Sequence, residues 1–466
     1  MKENKMGTMP IVKLLISMSL PIIISMAVLA FYNIVDTYFI SMVSQRGITA
    51  LGYAFPVQNI MIAMATGTGV GINALASKAL GEKNKPKASK IAMQGVLIAL
   101  CASALFFLIG LFGAEPFMKL MVKNLNEPAA IKNEIIELGA VYLKIVCCAS
   151  AGVFIEISFE RILQSTGKTI FTMFSQGIGA ITNIVLDYIF VLGKFGCPRM
   201  GIKGAAIATV VGQFVAAALA IVFNLTKNSE YSLKFSDIKP NKHYIGEILY
   251  IGLPSVLMVA IGSLMNFLLN KVILNAYGAD PITIFAYYFK LQSFIFMPLF
   301  GMNNGMVPIL GYNYGARNKD RLYKTIKTAM CFAFVIMMLG LAAFQFFPRQ
   351  ILSVFSVTPS MMEIGVKAFR IISLAFIFAG ICIVCISVCQ ALGKSMYAFW
   401  ISFGRQLIAL IPAAYILSSI FHNVNAVWWA FPIAELVSLI MSLYFVRRVL
   451  KKLDWSPVEQ VAQQPS

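Results

Sequence analysis

Long apolar runs, broken by short polar links, make up nearly all of the 466-residue chain. A helix needs about 20 mostly apolar residues to cross the hydrocarbon core of a bilayer. Twelve runs reach that length: 11–41, 48–77, 90–112, 137–163, 168–193, 202–225, 244–275, 282–312, 325–347, 363–390, 395–418 and 425–447. The polar links at 113–136 and 226–243, and the tail after Arg447, leave no room for a soluble domain. A membrane β-barrel would show alternating segments of about ten residues, and these runs are longer and do not alternate. The pattern predicts an all-α polytopic membrane protein with twelve transmembrane helices. The first run, after Met1-Lys2-Glu3-Asn4-Lys5, is too long for a signal-peptide core, so no cleavable signal is expected.

Composition narrows the class. The chain is 59% hydrophobic and 12% charged, with a mean hydropathy of +0.80. That excludes a water-soluble enzyme and a disordered chain. The net charge of +19 does not imply nucleic-acid binding, because most of the 38 Lys and Arg lie in short clusters between apolar runs. Under the positive-inside rule, the clusters at Lys78 to Lys90, Arg317 to Lys327 and Arg447 to Lys452 place both termini in the cytoplasm. Most of the eight Cys lie in spans, where they act as small apolar residues. Neither they nor the two His form a metal or catalytic constellation.

The chain is written twice. Leu20-Pro21 matches Leu253-Pro254, and Asn33 matches Asn266, both at an offset of 233. At 234, Gln58 matches Gln292, Gly67 and Gly71 match Gly301 and Gly305, and Leu80-Gly81-Glu82-Lys83-Asn84-Lys85 matches Tyr314-Gly315-Ala316-Arg317-Asn318-Lys319. At 226, Glu137, Gln164 and Gly167-Lys168 match Glu363, Gln390 and Gly393-Lys394. At 222, Ala208 and Gln213 match Ala430 and Glu435. Each copy holds six spans, an even number, so the repeats are parallel about an axis along the membrane normal. The expected organisation is an N-lobe at 1–225, a cytoplasmic linker at 226–243, a C-lobe at 244–450 and a cytoplasmic tail at 451–466. Two six-helix lobes around a central cavity suit alternating access, which argues for a transporter.

Ionisable residues inside spans cost about 2.5–3.5 kcal/mol on insertion scales, so they are read as functional. Tyr32 and Asp36 share a face of span one, and Asn183 and Asp187 share a face of span five. Both acids fall in the outer half of the N-lobe. Two carboxylates at one depth repel each other and favour holding a proton between them. Asn183, Thr209 and Gln213 add oxygens, completing a candidate cation site. Glu156 and Glu160 lie near the inner end of span four, with Glu160 and Arg161 expected at the boundary and Glu156 one turn deeper, where it could recruit cations. Glu435 is expected to do the same job as its repeat partner Gln213. In the C-lobe, Lys290 is the basic residue expected to reach the cavity, while Lys271, Arg370 and Arg405 snorkel. The candidate cavity lining is Asn33, Glu156, Met173 and Gln213 from the N-lobe, with Asn266, Lys290 and Gln292 from the C-lobe. Abundant Met and Phe suit a cavity that accepts many apolar shapes.

With these features the chain resembles the multidrug and toxic compound extrusion (MATE) family over nearly its whole length. The resemblance rests on six plus six spans, the Leu-Pro opening spans one and seven, and the second span ending in Leu80-Gly81. Gln164-Ser165-Thr166-Gly167-Lys168 and Gly201-Ile202-Lys203-Gly204-Ala205-Ala206 add to it. The nearer branch is the DinF-like and staphylococcal MepA-like one. There the proposed cation site is an Asp in span one, an Asn and Asp four apart in span five and a Thr in span six, matched here by Asp36, Asn183, Asp187 and Thr209. Tyr32 matches a Tyr one turn before the first Asp, and Pro21 matches a proline linked to bending of the first helix. The NorM-like branch carries acids in spans seven and ten. Span seven has none here and span ten has only Glu363 at its end, which puts a C-lobe sodium site in doubt.

The resemblance implies a monomeric inner-membrane antiporter that expels organic, often cationic and amphipathic compounds in exchange for inward H⁺ or Na⁺. Sodium, if used, would bind at Asp36, Asn183 and Asp187. The expected partners are small organic substrates and the lipid bilayer, not nucleic acid. No cofactor or ATP is expected, since there is no Walker loop. A lipid or lipid-linked oligosaccharide flippase of the same superfold is the alternative. A passive channel and an intramembrane enzyme are the readings from other classes.

Overall fold

The computed structural model describes residues 4–456 apart from 124, 126, 234 and 356. The last part of the expected tail, from 457, lies outside the described residues. Among the described residues there are helices and no strands. Ten helices are long and apolar enough to cross a membrane, and two bent pairs bring the number to twelve.

The first six are α1 (Ile11–Ser41), α2 (Gln45–Gly81), α3 (Lys85–Val122), the bent pair α4 (Ala129–Cys148 and Ala151–Ser165), α5 (Thr169–Phe190) and α6 (Ile202–Lys227). The second six are α7 (Lys242–Tyr277), α8 (Ala279–Gly315), α9 (Lys319–Phe346), the bent pair α10 (Pro359–Ser373 and Phe376–Ala391), α11 (Ser395–Phe421) and α12 (Val424–Lys451). Every apolar run of the sequence becomes one of these spans. Pro21 sits inside α1, which runs unbroken for 31 residues.

The duplication is visible in backbone geometry. The breaks in α4 and α10 bend the chain by 45° and 49° at positions 225 residues apart, within one residue of the sequence offset of 226. α2 and α8 end alike. Lys83 and Arg317 both adopt left-handed φ values, 58° and 57°. Beyond them, the Asn84 amide donates to the Ala79 carbonyl and the Asn318 amide to the Asn313 carbonyl, each at 2.9 Å. This is the Schellman arrangement, which satisfies carbonyls left over at a helix end. After α4 and α10 the same stop uses glycine, Gly167 (φ 83°) and Gly393 (φ 72°). The best-matched blocks of the two repeats are therefore helix stops.

By packing, the chain forms two compact units. The N-unit comprises Leu20–Ala76 and Lys85–Val256. The C-unit comprises the N-terminal residues up to Ser19, then Ser77–Asn84, then the chain from Leu257 on. The boundary inside α1 falls just ahead of Pro21, and the boundary inside α7 falls just after Pro254.

Lipid is as apolar as Leu, so helices in a bilayer associate through close packing of small residues and through hydrogen bonds. Both occur here. In the C-unit, a Cβ on Gly81 would overlap the carbonyl of Tyr312, and one on Gly315 would overlap that of Lys78. The C-unit core is aromatic: Tyr288, Phe344 and Phe369 pack within 5.0–5.7 Å of one another, centroid to centroid, and Phe376 joins at 5.7 Å from Phe344. In the N-unit, the linker is tied to α3. The amide of buried Gln94 donates to the carbonyls of Asp237 (2.8 Å) and Lys239 (2.9 Å) and accepts from the amide of Asn241 (2.9 Å).

Candidate functional site

Helical periodicity builds one polar stripe on each of four N-unit helices. On α5 the stripe is Gln176, Gly179, Asn183 and Asp187, at spacings of three and four. On α6 it is Thr209, Gly212 and Gln213. Two glycines bring these helices together. A Cβ on Gly179 would lie 2.9 Å from the Gly212 carbonyl oxygen, and one on Gly212 would lie 2.8 Å from that of Gly179. The close approach sets Asn183 over α6. Oriented to satisfy both neighbours, its amide nitrogen donates to Asp187 Oδ2 at 3.2 Å, and its oxygen accepts from the Thr209 backbone nitrogen at 3.0 Å.

α1 contributes Tyr32 and, one turn on, Asp36. Asp36 is 6% exposed and Asp187 is fully buried. The Oδ1 atom of each is buried and receives no hydrogen bond from any donor group. The two carboxyl groups lie within hydrogen-bonding reach of each other. Ionised carboxylates only accept, so that contact is a hydrogen bond only when one proton is present.

Next to this pair is a cavity of about 110 Å³. Its polar lining is Tyr32, Glu156, Gln176, Asn183, Thr209 and Gln213; apolar residues such as Leu29, Ile62, Val153 and Ala216 form the rest. No basic residue lines it. Tyr32 and Glu156 share this lining, with Asp36 one helical turn beyond Tyr32. Gln213 Oε1 is buried without a donor.

A further N-unit acid is gripped by a neighbouring helix. Glu160 is 3% exposed and held inside the unit. It accepts from Ser175 Oγ at 3.2 Å and from Gln176 Nε2 at 2.8 Å. Gln176 thus lines the cavity and grips Glu160. Arg161 Nη1 donates to Gln164 Oε1 at 2.9 Å.

The structure brings together Tyr32, Asp36, Asn183, Asp187, Thr209, Glu156 and Gln213. It does not place Asn33 or Met173 in that lining. Asn33 is exposed and its amide donates to the Leu29 carbonyl of its own helix at 2.8 Å; Met173 is half-buried on α5. Asn266, Lys290 and Gln292 belong to the C-unit, where Lys290 is exposed. Two C-unit expectations are corrected. Glu435 does not repeat the part of Gln213, and Arg405 does not snorkel: Arg405 Nη1 lies 3.2 Å from Oε2 of buried Glu435. Sequence reasoning missed Gln176, although it continues the Asn183 stripe by two turns. It also missed buried Tyr142 on α4, which lies beside Gln58 and feels Asp36. No sequence signal marks Tyr142. Among the described residues, no group of three or more His, Cys, Asp or Glu side chains could hold a metal ion.

The sequence model of the MatE family matches residues 21–189 and 254–416, one stretch in each repeat. The chain belongs to the MatE family. Among relatives of this MatE chain is an FAD transporter of Shewanella oneidensis, 25% identical over 442 residues, 94% of this chain and 95% of that protein. Another is the multidrug export protein MepA of Staphylococcus haemolyticus, 25% identical over 444 residues and 95% of each chain. A third is a probable multidrug resistance protein NorM of Thermotoga maritima, 25% identical over 441 residues, 93% of this chain and 92% of that one. Among solved structures, MATE in the straight conformation superposes with a TM-score of 0.88 at 23% identity, covering 97% of this chain and 99% of that one. MATE in the bent conformation gives 0.86 at 23% identity, covering 95% and 96%. These likenesses show the fold: this is a multi-pass membrane protein of the MatE architecture.

Proposed function

We propose that this MatE chain is a secondary active antiporter of a bacterial inner membrane, with both termini cytoplasmic. It exports organic, cationic amphipathic compounds in exchange for inward H⁺ or Na⁺. The observation that carries this reading is the buried pair Asp36 and Asp187, each with a carboxyl oxygen that no donor satisfies, beside a largely apolar cavity. A proton or cation entering the pair meets both carboxylates, with the Asn183 amide nitrogen already donating to Asp187 Oδ2. Organic cations would be drawn to the same neighbourhood by Glu156 while their apolar parts lie against Leu29, Ile62 and Val153. Pro21 removes one hydrogen bond from α1 and gives the helix a place to bend between states. The MepA and NorM relatives are named for drug export and resistance, which supports the substrate class.

The FAD transporter relative invites a second reading, export of an anionic dinucleotide. The cavity lining has Glu156 and no Lys, Arg or His, which favours cations. A flippase for lipids or lipid-linked oligosaccharides has no observation in its favour.

The test is ethidium movement in proteoliposomes under an imposed pH gradient or an imposed sodium gradient. Uphill movement under one of them supports antiport and names the ion. Movement under neither refutes the reading and leaves the dinucleotide as the next substrate to assay.

A further inference from the structure

The C-unit carries a charge pair that the antiport reading does not use, between buried Glu435 and an Arg405 side chain that is 29% exposed. Arg405 projects from a π-helical turn of α11, Gly404–Leu410, an irregularity that is frequent at functional sites. Its Nη1 meets Glu435 Oε2 on α12 at 3.2 Å. Cys382 on α10 and Tyr288 on α8 are buried in the same unit. Glu435 is 5% exposed. The ion pair uses one nitrogen and one oxygen. Glu435 Oε1 and Arg405 Nε are both buried without partners.

The repeat gives this pair a meaning. The offset of 226 holds on both sides of Cys382, at Glu137 with Glu363 and at Gln164 with Gln390, so Cys382 is the counterpart of Glu156. Glu435 is the counterpart of Gln213. Arg405 corresponds to Gly179 at the offset of 226 and to Asn183 at 222. Glu156, Gln213, Gly179 and Asn183 all line the N-unit cavity. The C-unit thus repeats the cavity-forming positions with changed chemistry. The carboxylate moves from the fourth helix of the repeat to the sixth, and a guanidinium stands where the N-unit has a glycine or a short amide.

We propose that the C-unit contains a cation site on the plan of the N-unit cavity, occupied by the chain's own Arg405 as a tethered guanidinium. With that side chain removed, the site at Glu435 takes a free guanidinium-class cation. A guanidinium fits because it is planar, presents paired N–H donors to a carboxylate and is weakly hydrated for a cation. The partnerless Oε1 supplies the second acceptor that a freely placed guanidinium would use and that the tethered one leaves vacant. This inference does not depend on the antiport reading.

The test uses the purified full-length protein in detergent and reads its thermal unfolding midpoint. Arg405→Ala is expected to lower the midpoint by roughly 4 °C or more, because it leaves a buried charge unpaired. Guanidinium chloride at roughly 10 mM, too dilute to denature, is expected to recover at least half of that loss by binding the folded state. Equal sodium or tetramethylammonium should not. Wild type and the double variant Arg405→Ala with Glu435→Gln should not respond to guanidinium. If Arg405→Ala gives no folded protein, Arg405→Gln, which keeps the length and a donor, enters the same comparison. An unchanged midpoint without a guanidinium response, recovery by sodium alike, or equal recovery in the double variant would each overturn the proposal.

Discussion

Asp36 on α1 and Asp187 on α5 face each other within hydrogen-bonding reach, and Oδ1 of each is buried without a donor. One proton joins the two groups, and none leaves two buried carboxylates in repulsion. Replacing either carboxyl by an amide installs a fixed donor where the proton would be exchanged. Asp36→Asn and Asp187→Asn are each expected to fold and insert, yet to lower gradient-driven ethidium movement to the level of empty vesicles. Full transport in Asp187→Asn would remove the pair from the coupling step.

With one shared proton as the coupling ion of the proposed antiport, the electrical balance is set too. Exchange of one proton for a singly charged organic cation moves no net charge. A membrane potential, worth about 2.3 kcal/mol per charge per 100 mV, would then neither drive nor oppose it. Transport of ethidium by the wild type is expected to follow the pH gradient and to ignore a potassium potential set with valinomycin. A rate that follows the potential would indicate a second coupling ion per cycle.

The contact of Gly179 with Gly212 holds Asn183 over Thr209. A methyl group at Gly212 would lie 2.8 Å from the Gly179 carbonyl oxygen and must push α5 from α6. Gly212→Ala is expected to destabilise the protein by about 1–3 kcal/mol and to reduce transport together with stability. Gly177→Ala, on the same α5 with nothing within 4 Å, should stabilise by about 0.5–1 kcal/mol. Thermal unfolding of the two variants in detergent decides it; similar midpoints would mean that the glycine contact does not position the site.

The spans and the repeat were legible because each is a one-dimensional pattern. Apolar runs of the right length became α1 to α12, and residues four apart, Tyr32 with Asp36 and Asn183 with Asp187, share faces by helical periodicity alone. The breaks at Ala149 and Leu374 were not legible, since neither run carries a proline there. Arg405 and Glu435 are 30 positions apart on different helices, so their pairing depends on which faces of α11 and α12 meet. The partners that α5 supplies to Glu160, Ser175 and Gln176, lie 15 and 16 positions away on another helix, so the sequence does not name them.

The left-handed stop of α2 uses Lys83, where glycine would be unstrained. Lys83→Gly is expected to raise stability by about 1 kcal/mol through relief of the side-chain clash at positive φ. A higher unfolding midpoint would show it, and a lower one would assign Lys83 contacts that outweigh the strain.

At Gly81 and Gly315 each copy of the duplicated segment presses its backbone into the space where the other lacks a Cβ. Elsewhere the copies can drift apart independently, as Gln213 and Glu435 have done. Here each is the mould of the other. A side chain gained on one helix of the crossing has nowhere to go unless the opposite helix moves as well, so at this point the two copies behave as a single part.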